Sequence, residues 1–227
     1  MKTVLITGAS SGIGYALTKQ LLKKGMKVIG ISRTIPDFTE DNYIHYTLDL
    51  TKLSEAEAVI KTIIKDNTID ILINNAGIGY YGLHEELNAH KINELVTVNL
   101  HAPILITNLL LRQFKKNGGT IINISSVTAN KSNPHGAAYG ATKAGLSNFS
   151  DSIFDEARKC GVRVITIEPD MTDTNLYRNA DFTASKEEGC HLTAKEVAEA
   201  TIYALESGII THMELKPQFH RIVRKGH

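Results

Sequence analysis

Apolar residues along this chain come in short runs that alternate with longer periodic stretches. The short runs fall at residues 4–7, 27–31, 43–48, 69–73, 120–124, 162–167 and 212–216. Their length and β-branched content read as strands. Between them, apolar side chains recur at a spacing near 3.6. The first such stretch puts Ile13, Ala16, Leu17 and Leu21 on one face and stops at Gly25. Others cover about residues 54–66, 91–116, 137–160 and 193–206. Ser54-Glu-Ala-Glu57 and Thr193-Ala-Lys-Glu196 match capping boxes. In the third stretch Ile92, Leu95, Val96, Leu105, Leu109 and Leu110 face inward, and Asn99 and Pro103 predict a bend. Alternating strands and helices predict an α/β fold: a doubly wound parallel sheet with helices on both faces. No linker or repeat breaks the pattern, so residues 1–227 read as one domain, with a polar, irregular loop at about 170–192. The tail from Pro217 is basic and carries no assigned element.

Composition narrows the classes. At 227 residues, 42% hydrophobic and 22% charged, the chain can bury a substantial core. A net charge of +1 gives no electrostatic case for nucleic acid or an anionic membrane. No apolar run approaches 18 residues, so no transmembrane helix is expected. No secretory signal is visible, and Cys160 and Cys190 form neither a disulfide framework nor a metal signature. The expectation is a soluble cytoplasmic protein with free thiols and no metal.

The chemistry sits where strands end. Strand one runs into Gly8-Ala-Ser-Ser-Gly12-Ile-Gly14, between a strand and an amphipathic helix. Glycines there let the backbone turn sharply and let a phosphate reach the free N–H groups of the helix start. The spacing is neither that of a P-loop nor G-x-G-x-x-G. Asp49 follows strand three, Asn74-Asn-Ala-Gly77 strand four, Ser125-Ser126 strand five, and Pro169 to Thr174 strand six. In an open parallel sheet all of these converge on one rim. Tyr139 and Lys143, four apart, share one helical face just beyond Ser126. A phenol beside an ammonium is a route to a tyrosine that ionises below its reference value.

These motifs, in order and spacing over about residues 3–174, resemble the short-chain dehydrogenase/reductase family in its short single-domain branch. The residues that carry the likeness are Thr7 to Gly14, Asp49, Asn74 to Gly77, Asn99, Ser126, Tyr139 and Lys143, with Ser126 thirteen residues before Tyr139. The resemblance implies a Rossmann-type nucleotide fold and hydride transfer between a nicotinamide cofactor and a small carbonyl or secondary alcohol. It implies that Gly8, Ser10, Ser11, Gly12, Ile13 and Gly14 cradle the pyrophosphate, that Asp49 and Leu50 flank the adenine, and that Asn75, Ala76 and Gly77 wall the ribose. It further implies that Ser126 bonds the substrate oxygen and Tyr139 is the acid or base. Lys143 would bind the nicotinamide ribose and depress the Tyr139 pKa, and Asn99 would hold a water leading to Lys143. Pro169, Thr172 and Thr174 would contact carboxamide and phosphates. A homodimer or homotetramer is expected, through the helices at 91–116 and 139–160.

Ser32 and Arg33 stand at the end of strand two, where relatives that prefer NAD(H) carry an acid. A guanidinium suits a 2′-phosphate, so NADP(H) is expected over NAD(H). Two departures from the family pattern stand out. Asp170 follows Pro169 where a glycine is usual, and the glycine-rich carboxy-terminal ending is absent; the ending here is similar to relatives acting on 3-hydroxy acids or serine. His135, Tyr177 and Arg178 are candidate substrate contacts. The competing reading is a non-catalytic NADP-binding sensor or scaffold; a methyltransferase is disfavoured by Asn74 to Gly77 and by Tyr139 with Lys143.

Overall fold

The structure is a computed structural model and describes residues 1–219 and 222–224. Its strands are β1 (Thr3–Thr7), β2 (Lys27–Ser32), β3 (Tyr43–Thr47), β4 (Ile71–Asn74), β5 (Gly119–Ile124) and β6 (Val162–Pro169). The short strands β7 (Thr172–Asp173), β8 (Phe182–Ala184) and β9 (Leu192–Thr193) precede β10 (His212–Leu215) and β11 (Ile222–Arg224). The helices are α1 (Gly12–Lys23), α2 (Leu53–Asp66), α3 (Ala89–Val96), α4 (Ala102–Asn117), α5 (Ala137–Ala157) and α6 (Ala194–Ser207). Seven strands form one sheet in the order β10-β6-β5-β4-β1-β2-β3, all parallel. The chain winds outward from β1 to β3, then crosses back to β4 and winds the other way. The crevice at that switch point lies outside the carboxyl ends of β1 and β4.

Strand alternation sorts the core into two layers. Leu5, Ile29, Leu72, Ile121 and Val164 face α2, α4 and α5, where Ile60, Leu110 and Phe114 meet them. Val4, Ile6, Val28, Ile73, Ile122 and Ile165 face α1 and α6, against Leu17, Leu21, Val197 and Ile202. With both faces covered, strands read as unbroken apolar runs. The helical run Ala89–Asn117 is long and apolar enough, by length and composition, to cross a membrane, yet half of its most apolar window is buried inside the fold. Leu95, Ile106, Leu110 and Phe114 make its inner face, which is that of a core helix.

The bend in that run is a π-helical turn at Thr97–His101. Pro103 has no N–H for the Asn99 carbonyl, and the Ala102 N–H reaches back five residues to Thr97. The turn carries Asn99 fully inside. Thr193 and Glu196 do form the expected capping box on α6. Ser54 does not cap α2, which begins one residue earlier at Leu53 behind Lys52. The Asp49–Lys52 turn, closed by Lys52 N–H to the Asp49 carbonyl, starts the helix before Ser54 is reached. The loop at 170–192 is more ordered than its polarity predicts. β7 pairs with β9, and β8 pairs antiparallel with β11, Phe182 opposite Arg224. Part of the basic tail therefore returns over that loop; residues 220, 221 and 225–227 lie outside the described residues.

Candidate active site

Along the carboxyl rim runs a cleft of three joined lobes. The first is lined by Ser10, Ser32, Arg33, Asp49 and Leu50, with Gly8 and Ala76 at its inner end. The middle lobe shares Ser11 and Gly77 with it and adds Gly12, Ile13, Asn75, Ser126, Tyr139, Lys143, Pro169, Thr172 and Thr174. The third begins at Ser126 and Tyr139 and opens between Lys131, His135, Phe182 and Arg224.

The glycine-rich turn is held by its neighbours. Thr7 Oγ1 accepts the Asn75 and Ala76 N–H groups at 3.1 and 3.0 Å. Asn75 Nδ2 donates to the carbonyls of Thr7 and Gly8 at 2.9 and 3.3 Å. Asn75 thus braces the turn as well as lining the cleft. Gly8 has φ +71°, and a Cβ on it would lie 2.8 Å from Asn75 Nδ2. A Cβ on Gly14 would lie 2.1 Å from the Gly8 carbonyl oxygen. Gly14 does not line the cleft; its role is to let α1 approach the turn. Ser11 precedes α1 in extended conformation and makes no side-chain cap. The first N–H groups of α1 therefore face the cleft without a side-chain partner, a setting that fits the pyrophosphate of a dinucleotide.

At the outer lobe, Ser32 Oγ donates to the Thr34 carbonyl at 2.9 Å and Ser10 Oγ meets Thr34 Oγ1 at 2.9 Å. Arg33 is exposed at its rim. Asp49 accepts the Thr51 N–H and hydroxyl at 3.0 and 2.9 Å. Burial pushes its carboxyl up, but those bonds and the charges of Arg33 and Lys52 hold it below the usual range.

At the junction of the lower lobes, Ser126 Oγ accepts the Thr128 N–H at 3.2 Å and the Thr128 hydroxyl at 3.0 Å. Tyr139 meets it at the same junction, where Ser126 also acts on the phenol as a hydrogen-bond partner. The expectation of an acidified Tyr139 is not met by this geometry. Burial pushes the phenol up to about 12, with the Ser126 bond pulling against it. Lys143, also buried, is pushed down to about 8 by desolvation. Its ammonium donates to the Ile124 carbonyl at 2.8 Å and sits 5.8 Å from the Tyr139 ring centre. Asn99 has its side chain engaged by protein: Oδ1 accepts the Ile78 N–H, and Nδ2 donates to the Ile78 carbonyl, both at 2.9 Å. It lines none of the lobes.

Several residues of the cleft lie outside the motifs read from the sequence. Tyr80, hydrogen-bonded to Glu94 at 2.7 Å, lines the outer lobe. Tyr81 packs on Tyr139, Tyr177 and Phe182 at centroid distances of 5.7, 5.5 and 5.3 Å, making an aromatic wall in the third lobe. Tyr80 and Tyr81 follow Gly77 closely enough that the strand-end rule could have found them. Tyr177 and Arg178, the expected substrate contacts, both line the middle lobe; beyond it Tyr177 reaches the third lobe and Arg178 the outer one. His135 lies at the third lobe with φ 61°. Asp170 Oδ1 accepts the Met171 N–H at 2.8 Å, and Oδ2 lies 3.7 Å from Lys131 Nζ.

Comparison with known proteins agrees with this architecture. Residues 2–185 match the family described as short chain dehydrogenase. A 3-oxoacyl-[acyl-carrier-protein] reductase of Buchnera aphidicola is 33% identical over 216 residues, 89% of this chain and 88% of that one. An alcohol dehydrogenase of Thermococcus sibiricus, solved with 5-hydroxy-NADP, superposes with a TM-score of 0.85 at 24% identity, covering 97% and 98% of the two chains. A 3-ketoacyl-(acyl-carrier-protein) reductase of Brucella melitensis, solved with NADH, gives 0.82 at 26% identity, covering 95% and 96%. The chain belongs to the short-chain dehydrogenase family of oxidoreductases.

Proposed function

We propose that this protein is an NADP(H)-dependent oxidoreductase acting on a small carbonyl or secondary alcohol, with Tyr139 as proton donor and acceptor. The observation that carries the reading is the meeting of Ser126, Tyr139 and Lys143 where the nucleotide cleft opens into the third lobe. Bound nicotinamide supplies or takes up the hydride. Gly8, Gly12, Ile13 and the start of α1 hold the pyrophosphate, and Lys143 is within the lobe that receives the ribose. Exposed Arg33, with Ser10 and Ser32 beside it and no acid at that strand end, supports a 2′-phosphate on the adenosine ribose.

At neutral pH a phenol raised by burial keeps its proton, which suits the reduction direction. A carbonyl accepting hydride becomes an alkoxide, a stronger base than phenolate, so proton transfer from Tyr139 runs downhill. With its oxygen held by Thr128, Ser126 keeps one hydrogen, which serves the substrate oxygen when substrate enters beside Tyr139. Asn99 acts by fixing Ile78 at the wall of the cleft.

The test is a panel of aldehydes, ketones and 3-oxo acids followed by NADPH absorbance, repeated with NADH. Turnover with a higher kcat/KM for NADPH supports the reading. Tight NADPH binding without turnover of any carbonyl would instead make the protein a sensor on the same fold.

A further inference from the structure

Glu168, the penultimate residue of β6, is fully buried, and the chemistry above makes no use of it. A buried carboxylate is tolerated only when its oxygens are met by donors, and three elements supply them. Ser147 of α5 donates to Oε1 at 2.7 Å. Asn130 Nδ2, from the turn after Ser126, donates to Oε2 at 2.6 Å. His212 Nε2 of β10 lies 2.9 Å from the same oxygen. We propose that Glu168 is a positioning residue that clamps the Ser126 turn to the helix carrying Tyr139 and Lys143, and so sets the Ser126–Tyr139 contact. The proposal rests on the reading of that pair as the reacting groups.

Two chains of hydrogen bonds leave the carboxylate. One runs through Asn130 to the turn at Val127–Ala129, where the Asn130 N–H bonds the Val127 carbonyl at 3.3 Å and the Ala129 N–H bonds the Ser126 carbonyl at 2.9 Å. Thr128, inside that turn, gives both its N–H and its hydroxyl to Ser126 Oγ. That leaves Ser126 a single hydrogen for the junction that it shares with Tyr139. The other chain runs through Ser147 to Ser125, whose Oγ lies 2.8 Å from Ser147 Oγ and 3.1 Å from the Lys143 carbonyl. A carboxylate only accepts, so the Ser147 hydrogen is committed to Glu168, and Ser125 shares its one hydrogen between the Ser147 oxygen and the Lys143 carbonyl. The adjacent Ser125 and Ser126 are thus tied to one acid by opposite routes. The same acid stands directly before Pro169 and Asp170, which line the cleft. Next to Asn130, Lys131 reaches Asp170 across the mouth of the third lobe.

The arms can be cut without emptying the core. Asn130 is exposed and Ser147 loses only a hydroxyl in Ser147→Ala. Each variant would be measured for kcat and KM with NADPH, for NADPH binding by calorimetry, and for the 13Cζ resonance of Tyr139, assigned by its loss in Tyr139→Phe. A misplacement of the reacting groups predicts that Asn130→Ala lowers kcat about tenfold, with NADPH affinity within about twofold of wild type. The Tyr139 resonance shifts in both variants, because its contact with Ser126 is loosened. A lowered melting temperature with kcat and the Tyr139 resonance unchanged would reduce Glu168 to a structural acid and overturn the proposal. If the wild type turns over no carbonyl, the reading of the reacting pair fails, and the Tyr139 resonance alone then decides whether the clamp exists.

Discussion

The Lys143 ammonium donates to the Ile124 carbonyl at 2.8 Å, and that bond directs it along the floor of the cleft rather than onto Tyr139. The two side chains share a helical face, yet each is governed by its own burial. Lysine is pushed toward neutrality and tyrosine is held in its protonated form.

For Lys143, folding lowers the pKa from 10.5 to about 8. Between those values the unfolded chain binds more protons, so stability rises with pH there. Below about 8 the full penalty is present, and it corresponds to about 3 kcal/mol at most. Lys143→Met removes the penalty. Urea unfolding from pH 7 to 10 should show wild type gaining on the variant as pH rises past 8; parallel curves would contradict the burial of this charge. Tyr139, raised by folding, has the opposite sign, and its contribution is lost only as pH climbs from 10 toward 12.

Tyr139→Phe removes the transferable proton and leaves the ring packed on Tyr81. Turnover should fall by about 10²–10⁴-fold, the usual range for a lost general acid. Calorimetry should give an unchanged NADPH affinity. Substantial residual activity in a clean preparation would end the assignment.

Arg33→Ala deletes the guanidinium at the outer lobe. A charge-assisted contact contributes about 1.5–3 kcal/mol, which makes NADPH binding weaker by about 10- to 100-fold. NADH binding should hardly move. Ser32→Asp should shift the kcat/KM ratio toward NADH, and an unmoved ratio would place the 2′-position elsewhere.

Gly14→Ala puts a methyl 2.1 Å from the Gly8 oxygen and 2.4 Å from Asn75 Nδ2. Backbone on one side leaves little room to give way. The expected loss is on the order of 3 kcal/mol in chemical denaturation, with cofactor affinity falling alongside. A variant of wild-type stability would show that α1 can back away from the turn.

Much of the sheet and its rim was legible from the chain, because strand runs and helix periods are local patterns. Gly8, Ser126, Tyr139 and Lys143 fell into place since each lies within a few residues of a strand end or on one helical turn. What escaped was long-range or energetic. No local pattern reports that β11 pairs with β8, since Phe182 and Arg224 meet across an excursion through α6 and β10. Ser54 looked like a cap because the motif is short; the turn from Asp49 to Lys52, just upstream, had already begun the helix. The direction of the Tyr139 shift depended on how fully the site is dry, and a spacing of four residues says nothing about solvent. Tyr177 and Arg178 share the middle lobe, but only the turn that carries them decides that one extends to the third lobe and the other to the outer one.

The three lobes also divide the chain between them. Apart from Asn175 and Arg178, the outer lobe is lined from residues 8–98, whereas Tyr81 is the one residue before Ser126 that lines the third. Under the proposed function, cofactor choice and substrate choice would be written in nearly separate halves of the polypeptide. Exchanging the first half with a homologue should transplant the nucleotide preference and leave the substrate range in place, so each trait can drift without dragging the other along.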